Sequence, residues 1–338
     1  MKDYRNISVI GFGRLGLCFG LFLERSGYNV LGIDISQEYV DKINSKTLKS
    51  TEENVEEMLL KSKNVKASTS IDDAITHADV LFILVATPSL ENGRYDHAQV
   101  EQVVADLEQH GHVKDKHVVI SCTTMPGYSD TVAKRLNLLG YTVSYNPEFI
   151  AQGTIIRDQL NPEFVLIGEE NSEIGTIIQD IYLKATVSSP KICRMSRHEA
   201  EITKIAYNCF LTMKISFANM IGDVADLSGL PAHNILNAIG NSDKVGHKYL
   251  RYGYGYGGPC FPRDNRVFSI YASDLGYSAY LSNATDQVNE YHLRYQVNKT
   301  LETVPKTQNL TFDSITYKPG TDIIEESQQL AYVVSLAK

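Results

Sequence analysis

Short, uninterrupted apolar runs alternate with mixed apolar and polar stretches through the first half of the chain. Ile7–Ile10 is the first run, and the residues from Gly11 to Glu24 that follow carry helical spacing. Tyr28–Ile33 and Val80–Val85 are further runs, and Val118–Ile120 and Thr142–Ser144 continue the series. Strands that are apolar throughout, rather than at every second position, have both faces covered. That is the situation of a parallel sheet flanked by helices. The pattern predicts an N-terminal doubly wound α/β domain of the Rossmann type.

The rhythm changes near residue 190. Ser196 and Glu199 have capping-box spacing and predict a helix running to about Ser228, where Gly229 and Pro231 stop it. Within it, Ile202, Ile205, Ala206, Phe210, Met213 and Phe217 are expected on the core-facing side. A second long helix is predicted from Ser282 to Val304, ahead of Pro305. Between the two, Tyr252–Cys260 is too rich in glycine for a regular element. Leu310–Tyr317 predicts a strand, Pro319–Gly320 a turn and Asp322–Ala337 one helix. Three parts are expected: an α/β domain over 1–192, a central long-helix domain over 193–304, and an incomplete C-terminal α/β unit over 305–338.

Composition narrows the function. A net charge of -8 over 338 residues argues against nucleic acid and anionic membrane surfaces as partners. The N-terminus, Met1–Asn6, is polar, and no apolar run reaches the ~20 residues that span a bilayer. A cytoplasmic protein is the expectation. The five cysteines are an odd number with no C-x-x-C pair, so neither a metal site nor a disulfide framework is expected.

Candidate chemistry begins at Gly11-Phe-Gly13-Arg14-Leu15-Gly16, placed between a predicted strand and a predicted helix. The first glycine permits a tight turn, the second a close approach to a pyrophosphate, and the third close helix–strand packing. Asp34 closes the second strand, 18 residues after Gly16, where a carboxylate accepts hydrogen bonds from ribose hydroxyls. It also repels a 2′-phosphate, so NAD is expected rather than NADP. Arg14 could either pair with Asp34 or reach a phosphate.

Three further segments stand out. Cys260 follows Gly253, Gly255, Gly257 and Gly258, with Asp264 four residues on. A single cysteine is commonly a buried, inert residue, but glycines that free backbone N–H groups and a nearby acid suit a thiolate nucleophile. Lys204 and Asn208 lie one helical turn apart. They are either a solvated lysine with an incidental asparagine or a pair that stabilises an oxyanion. Glu148 follows a strand of the α/β domain, where ligands of such sheets bind, although an isolated surface glutamate reads the same way.

Taken together, these segments resemble the UDP-glucose 6-dehydrogenase family of nucleotide-sugar dehydrogenases. The resemblance rests on Gly11–Gly16, Val85-Ala-Thr87-Pro88, Thr124-Met-Pro126-Gly, Asn146-Pro-Glu148-Phe, Glu201–Asn208, Gly255–Asp264 and Tyr317-Lys318-Pro-Gly-Thr321. It implies oxidation of carbon 6 of a UDP-sugar to a carboxylate with two NAD consumed, through a thioester on Cys260. Lys204 and Asn208 would stabilise oxyanions and Asp264 would assist proton transfer. Glu148 would be the base for hydrolysis, with Thr124 positioning the water. Thr87 and Thr124 would also contact the cofactor. Lys244, Tyr249, Arg251, Gly257 and Lys318, with Glu148 and Gln152, would hold the UDP-sugar. A homodimer through the central helices is expected.

The chain departs from the family pattern at Gln152, which stands where a second glutamate is usual, and at Arg263, which replaces a lysine. The third domain is expected to stop after one strand and one helix. The Cys260 block speaks against the alternative of a two-electron dehydrogenase of the 6-phosphogluconate or 3-hydroxyacid type. The other alternative is a cofactor-binding remnant with impaired catalysis.

Overall fold

In the computed structural model, which describes residues 4–305 and 307–338, the chain divides into two compact units, Met1–Lys204 and Ile205–Lys338. The first is built on strands β1 (Asn6–Ile10), β2 (Asn29–Ile33), β3 (Val65–Ser68), β4 (Val80–Ile83), β5 (Lys116–Ile120), β6 (Tyr141–Tyr145), β7 (Phe164–Glu169) and β8 (Lys191–Ser196). Their order in the single sheet is β3-β2-β1-β4-β5-β6-β7-β8. Every neighbouring pair is parallel except β6 and β7, which meet antiparallel at Tyr145 and Gly168. Strand order reverses between β1 and β4, so a crevice opens beyond their carboxyl ends.

Helices α1 (Arg14–Arg25), α2 (Gln37–Asn44), α3 (Val55–Lys61), α4 (Ile71–His77), α5 (Ala98–His110), α6 (Tyr128–Leu136), α7 (Ile155–Leu160) and α8 (Ser172–Ala185) complete the unit. The strands alternate faces as their period of two requires. Val9, Phe82 and Val119 join one buried cluster with Phe12, Phe19 and Phe22. Ile10, Leu81, Ile83 and Val118 join the other, with Val104 and Leu136. Two cores, one per face, are why these strands read as continuous apolar runs.

The second unit is helical. It holds most of α9 (Arg197–Leu227), then α10 (Ala232–Gly240), α11 (Phe261–Asp274), α12 (Tyr280–Thr303) and α13 (Gln328–Leu336). The capping box forms as expected: Ser196 N and Oγ donate to Glu199 Oε2 at 2.9 and 2.6 Å. The expected inward face of α9 forms only in part: Ile205 is fully buried and Ile202, Ala206 and Met213 are partly buried. Phe210 and Phe217 are 57% and 40% exposed, while Asn208, Thr212, Ser216, Asn219 and Asp223 are buried. In this unit the buried side of α9 mixes these polar residues with Ile205, Leu211, Ala218 and Ala225, and its largest apolar side chains face outward. Spacing fixes that two faces exist, but not which one is covered.

The tail also differs from its pattern. Residues 310–317 form no strand, and the helix expected from Asp322 begins only at Gln328, where Ser327 accepts from Leu330 N at 3.2 Å. A strand needs a neighbour to satisfy its backbone groups. The described residues of this unit contain no other strand, so the tail closes on itself instead: Tyr317 N donates to Ile323 O at 2.9 Å and Ser327 Oγ to Ile315 O at 2.8 Å.

Candidate active site

At the end of β1 the chain turns into α1 through the three glycines, and each has its own reason. Gly11 has φ +89°, and a Cβ there would lie 2.7 Å from the backbone of Leu84 and Val85. A Cβ on Gly16 would overlap the Gly11 carbonyl oxygen. Gly13, the N-cap of α1, has nothing within 4 Å of its Cβ position. Open space thus borders a helix N-terminus that begins with Arg14 and Leu15, lacks an acid in its first turn and has no side-chain cap. A helix N-terminus of this kind and that gap fit a diphosphate. Asp34 follows β2, its Oδ1 accepting from Ser36 N at 3.0 Å.

Arg14 has a partner that the sequence did not suggest. Its Nη1 donates to Gln152 Oε1 at 3.0 Å. Buried Glu52 holds the next residue, accepting from Gly153 N at 2.9 Å. Gln152, expected near substrate, is thereby tied to the glycine turn.

The loops after β4 and β5 are joined by Thr87, whose Oγ1 donates to Thr123 O at 2.8 Å. Thr124 is fully enclosed, and its Oγ1 donates to Glu201 Oε1 at 2.9 Å. Its hydroxyl proton is therefore directed at a buried carboxyl group. Burial pushes the Glu201 carboxyl above the usual carboxylate range, while donors from Ser129, Gly127 and Thr124 pull the other way. Burial also lowers the His97 imidazole to about 4, so at neutral pH its Nε2 accepts from Met125 N, at 3.2 Å.

Glu148 and Lys204 are brought together. Lys204 Nζ donates to the Glu148 carbonyl oxygen at 2.6 Å and lies 4.2 Å from the centre of the Phe149 ring. Tyr182 OH donates to Glu148 Oε1 at 3.0 Å. Burial raises the Glu148 carboxyl, with Tyr182, Gln159 and the Lys204 charge opposing.

In the second unit, Asn208 Nδ2 donates to Asp264 Oδ2 at 2.6 Å, and Arg263 Nε lies 3.4 Å from Asp264 Oδ1. Asp264 is 1% exposed. It sits in the first turn of α11, and its N–H donates at 2.8 Å to the carbonyl of Cys260, the N-cap. Of the five cysteines Cys260 alone is exposed. Burial pushes the Cys18 and Cys209 thiols up to about 12, which keeps both protonated at neutral pH.

In the glycine loop before Cys260 two backbone N–H groups are engaged within the unit. Gly253 N donates to Asn219 Oδ1 at 3.1 Å and Tyr256 N to Asn289 Oδ1 at 2.9 Å. Asn289 Nδ2 returns a bond to Tyr256 O at 3.0 Å. A Cβ on Gly257 would overlap the Glu326 carbonyl, and one on Gly258, with φ +81°, the Tyr317 ring. These glycines let α9, α12 and the tail approach the loop closely. Lys244 and Arg251 are exposed on the preceding loop. Tyr249, with φ +62°, sets its ring 6.1 Å from that of Phe261. Lys318 is half-buried, its carbonyl accepting from Thr321 Oγ1 at 2.9 Å.

Sequence reading gave no role to Glu52, His97, Glu201, Asn219 or Asn289. Each is a polar residue whose work depends on a partner distant in the chain, which spacing does not reveal.

A sheet with its switch point beside a glycine turn, and an acid at the end of the next strand, is the arrangement of dinucleotide-binding folds. The sequence profile of the UDP-glucose/GDP-mannose dehydrogenase family, NAD binding domain, matches residues 5–186, and that of its central domain matches residues 198–291. The chain belongs to this family of NAD-dependent nucleotide-sugar dehydrogenases. It is 30% identical to the UDP-glucose 6-dehydrogenase of Rickettsia conorii, over 97% of this chain and 77% of that one. The UDP-glucose dehydrogenase of Pyrobaculum islandicum superposes with a TM-score of 0.88 at 28% identity, covering 99% of this chain and 80% of the other. UDP-N-acetylmannosamine dehydrogenase from Pyrococcus horikoshii shares the fold, with a TM-score of 0.83 at 23% identity, over 98% of this chain and 81% of that one.

Proposed function

We propose that this chain oxidises carbon 6 of UDP-glucose to the carboxylate through a covalent adduct on Cys260. The observation that carries the reading is the setting of that cysteine. It is the exposed one of five, caps α11, and stands four residues before the buried Asp264 that Asn208 holds. The names of the relatives support the substrate.

When bound, NAD supplies the hydride acceptor for each oxidation. Cys260 Sγ forms a bond to the aldehyde carbon, and the thiol proton passes to the aldehyde oxygen. A free aldehyde would diffuse away, whereas the adduct stays in place. The N-terminus of α11 favours negative charge on the sulfur. Asn208 and Lys204 donate hydrogen bonds to the oxyanion, and Asp264 carries protons. The second oxidation, with the adduct's hydroxyl proton passing to Asp264, leaves a thioester. In the last step Glu148 takes a proton from water as the water oxygen bonds to the thioester carbon. The C–S bond then breaks and the thiolate leaves.

Lys244, Tyr249, Arg251, Gly257 and Lys318 hold the nucleotide, the exposed cations facing the diphosphate. Residues 1–192 serve as the NAD-binding domain, 193–304 as the dimerisation and substrate domain, and 305–338 as a nucleotide-sugar-binding unit. The enzyme works in the cytoplasm, where thiols stay reduced. A homodimer is supported by the outward side of α9. Phe210, Met213, Phe217, Met220, Val224 and Leu227 recur there at alternating spacings of three and four, and all but half-buried Met213 are exposed.

The test offers UDP-glucose, UDP-N-acetylglucosamine and GDP-mannose in turn, each with NAD, and identifies products by mass. UDP-glucuronate is expected from the first alone, and none from Cys260→Ala. Uronate from Cys260→Ala, or preference for another sugar, would overturn the corresponding part.

A further inference from the structure

Glu201 is the most completely satisfied buried carboxylate of the first unit that the proposed chemistry leaves without a task. It is 0% exposed. Its Oε1 accepts from Thr124 Oγ1 at 2.9 Å, Ser129 N at 2.8 Å and Ser129 Oγ at 2.7 Å, and its Oε2 from Gly127 N at 2.6 Å. Gly127 N and Ser129 N can only donate, one to each oxygen, so both carboxyl oxygens serve as acceptors. Gly127 is the N-cap of α6 and has no side chain to satisfy the first N–H groups of that helix. Glu201 does so from α9, and the helix dipole favours its charge there.

The same carboxylate grips both ends of the loop from Thr124 to Gly127. His97 holds the middle through Met125 N, and Thr87 holds the preceding carbonyl of Thr123. This loop follows β5. In a sheet of this order, the half built on β1–β3 receives the adenosine, as Asp34 marks, and the half built on β4–β6 receives the nicotinamide riboside.

We propose that Glu201 is a positioning residue for the nicotinamide half of the cofactor site, acting through the Thr124 hydroxyl and the N-terminus of α6. Glu201 touches no reacting atom. It fixes a loop whose displacement by a fraction of an ångström would spoil the seat of the nicotinamide and leave that of the adenosine unchanged. The idea depends on NAD binding alone, so the sugar and the fate of Cys260 do not enter its test.

The experiment compares dissociation constants of NAD and of ADP-ribose, which lacks the nicotinamide, for the full chain without sugar. In Glu201→Gln one oxygen becomes an NH2 group that must face a donor. The NAD constant is expected to rise about tenfold, as the loss of one charged hydrogen bond implies, with the ADP-ribose constant unchanged. Thr124→Val should show the same selective loss, and Thr124→Ser, which keeps the hydroxyl, should restore the ratio. Equal losses for both ligands would mean general damage and overturn the proposal, as would no loss for either. If Glu201→Gln does not fold, Glu201→Asp keeps the charge at α6 while withdrawing it from Thr124, and the same ratio decides.

Discussion

Asn208 Nδ2 donates to Asp264 Oδ2 across 2.6 Å inside the helical unit, tying α9 to the helix that begins beside Cys260. Both residues are buried, so the bond has little competition from water. It also orients the asparagine amide, with the carboxyl group one helical turn from Cys260.

Asp264→Asn can keep this bond, because its amide oxygen accepts what the carboxylate accepted, but an amide neither takes up nor releases a proton near neutral pH. The variant should fold normally and lose about a hundredfold or more in kcat. Asp264→Ala should also lose ~1–3 kcal/mol of stability, since the Asn208 amide is left buried without its acceptor. Melting curves and turnover separate the two effects. Wild-type kcat in Asp264→Asn would remove this residue from proton transfer.

Glu148 gives a pH prediction. Burial raises its carboxyl above the usual range, and Tyr182 and Lys204 only partly oppose that. A base is active when ionised, so the activity it supports is present at high pH and is lost as pH falls through the raised value. The acid limb of the kcat profile should therefore inflect above the ordinary value of about 4. Glu148→Gln should abolish that limb along with most of the turnover. An unchanged limb in the variant would assign it to another group.

The glycine turn separates stability from binding. Gly13→Ala adds a methyl group to open space, so melting should shift little while NAD affinity falls at least about tenfold. Gly16→Ala drives a methyl group into the Gly11 carbonyl and should lower stability by ~1–3 kcal/mol. If the two variants behave alike in both assays, the distinction between the glycines is wrong.

The outward stripe of α9 predicts association. Placing Asp at both Phe217 and Val224 should convert a dimer to a monomer in light scattering, with helical content retained. A dimer that survives both changes would move the interface elsewhere.

How much of this was legible in the chain depended on the kind of force involved. Strands β1, β2, β4 and β5 were readable because a parallel sheet buries both faces, and burial writes itself as uninterrupted apolar runs, whereas β3, Val-Lys-Ala-Ser at the sheet edge, carries no such run. Helix α11 was hidden because its buried positions include Pro262, Asp264 and Asn265, which give no apolar period. The apolar positions of 310–317 suggested a strand, but a strand forms only where another is present to pair with it. On α9 the period was visible while its direction was not, since Phe217 reads the same facing a core or a partner.

Site residues divide the same way. Gly11, Gly13, Gly16 and Cys260 stood out because local backbone chemistry demands their types. Glu201 and Asn289 did not, because their value lies in donors and acceptors brought by folding from far along the chain.

The covalent reading stands on the number of electrons removed per sugar. With UDP-glucose and excess NAD, NADH formed should be counted against UDP-glucuronate released at completion, for the wild type and for Cys260→Ser. The account predicts two NADH per uronate in the wild type and no uronate from the variant. One NADH per sugar, with an aldehyde as the final product, or full uronate formation without the thiol, would contradict it.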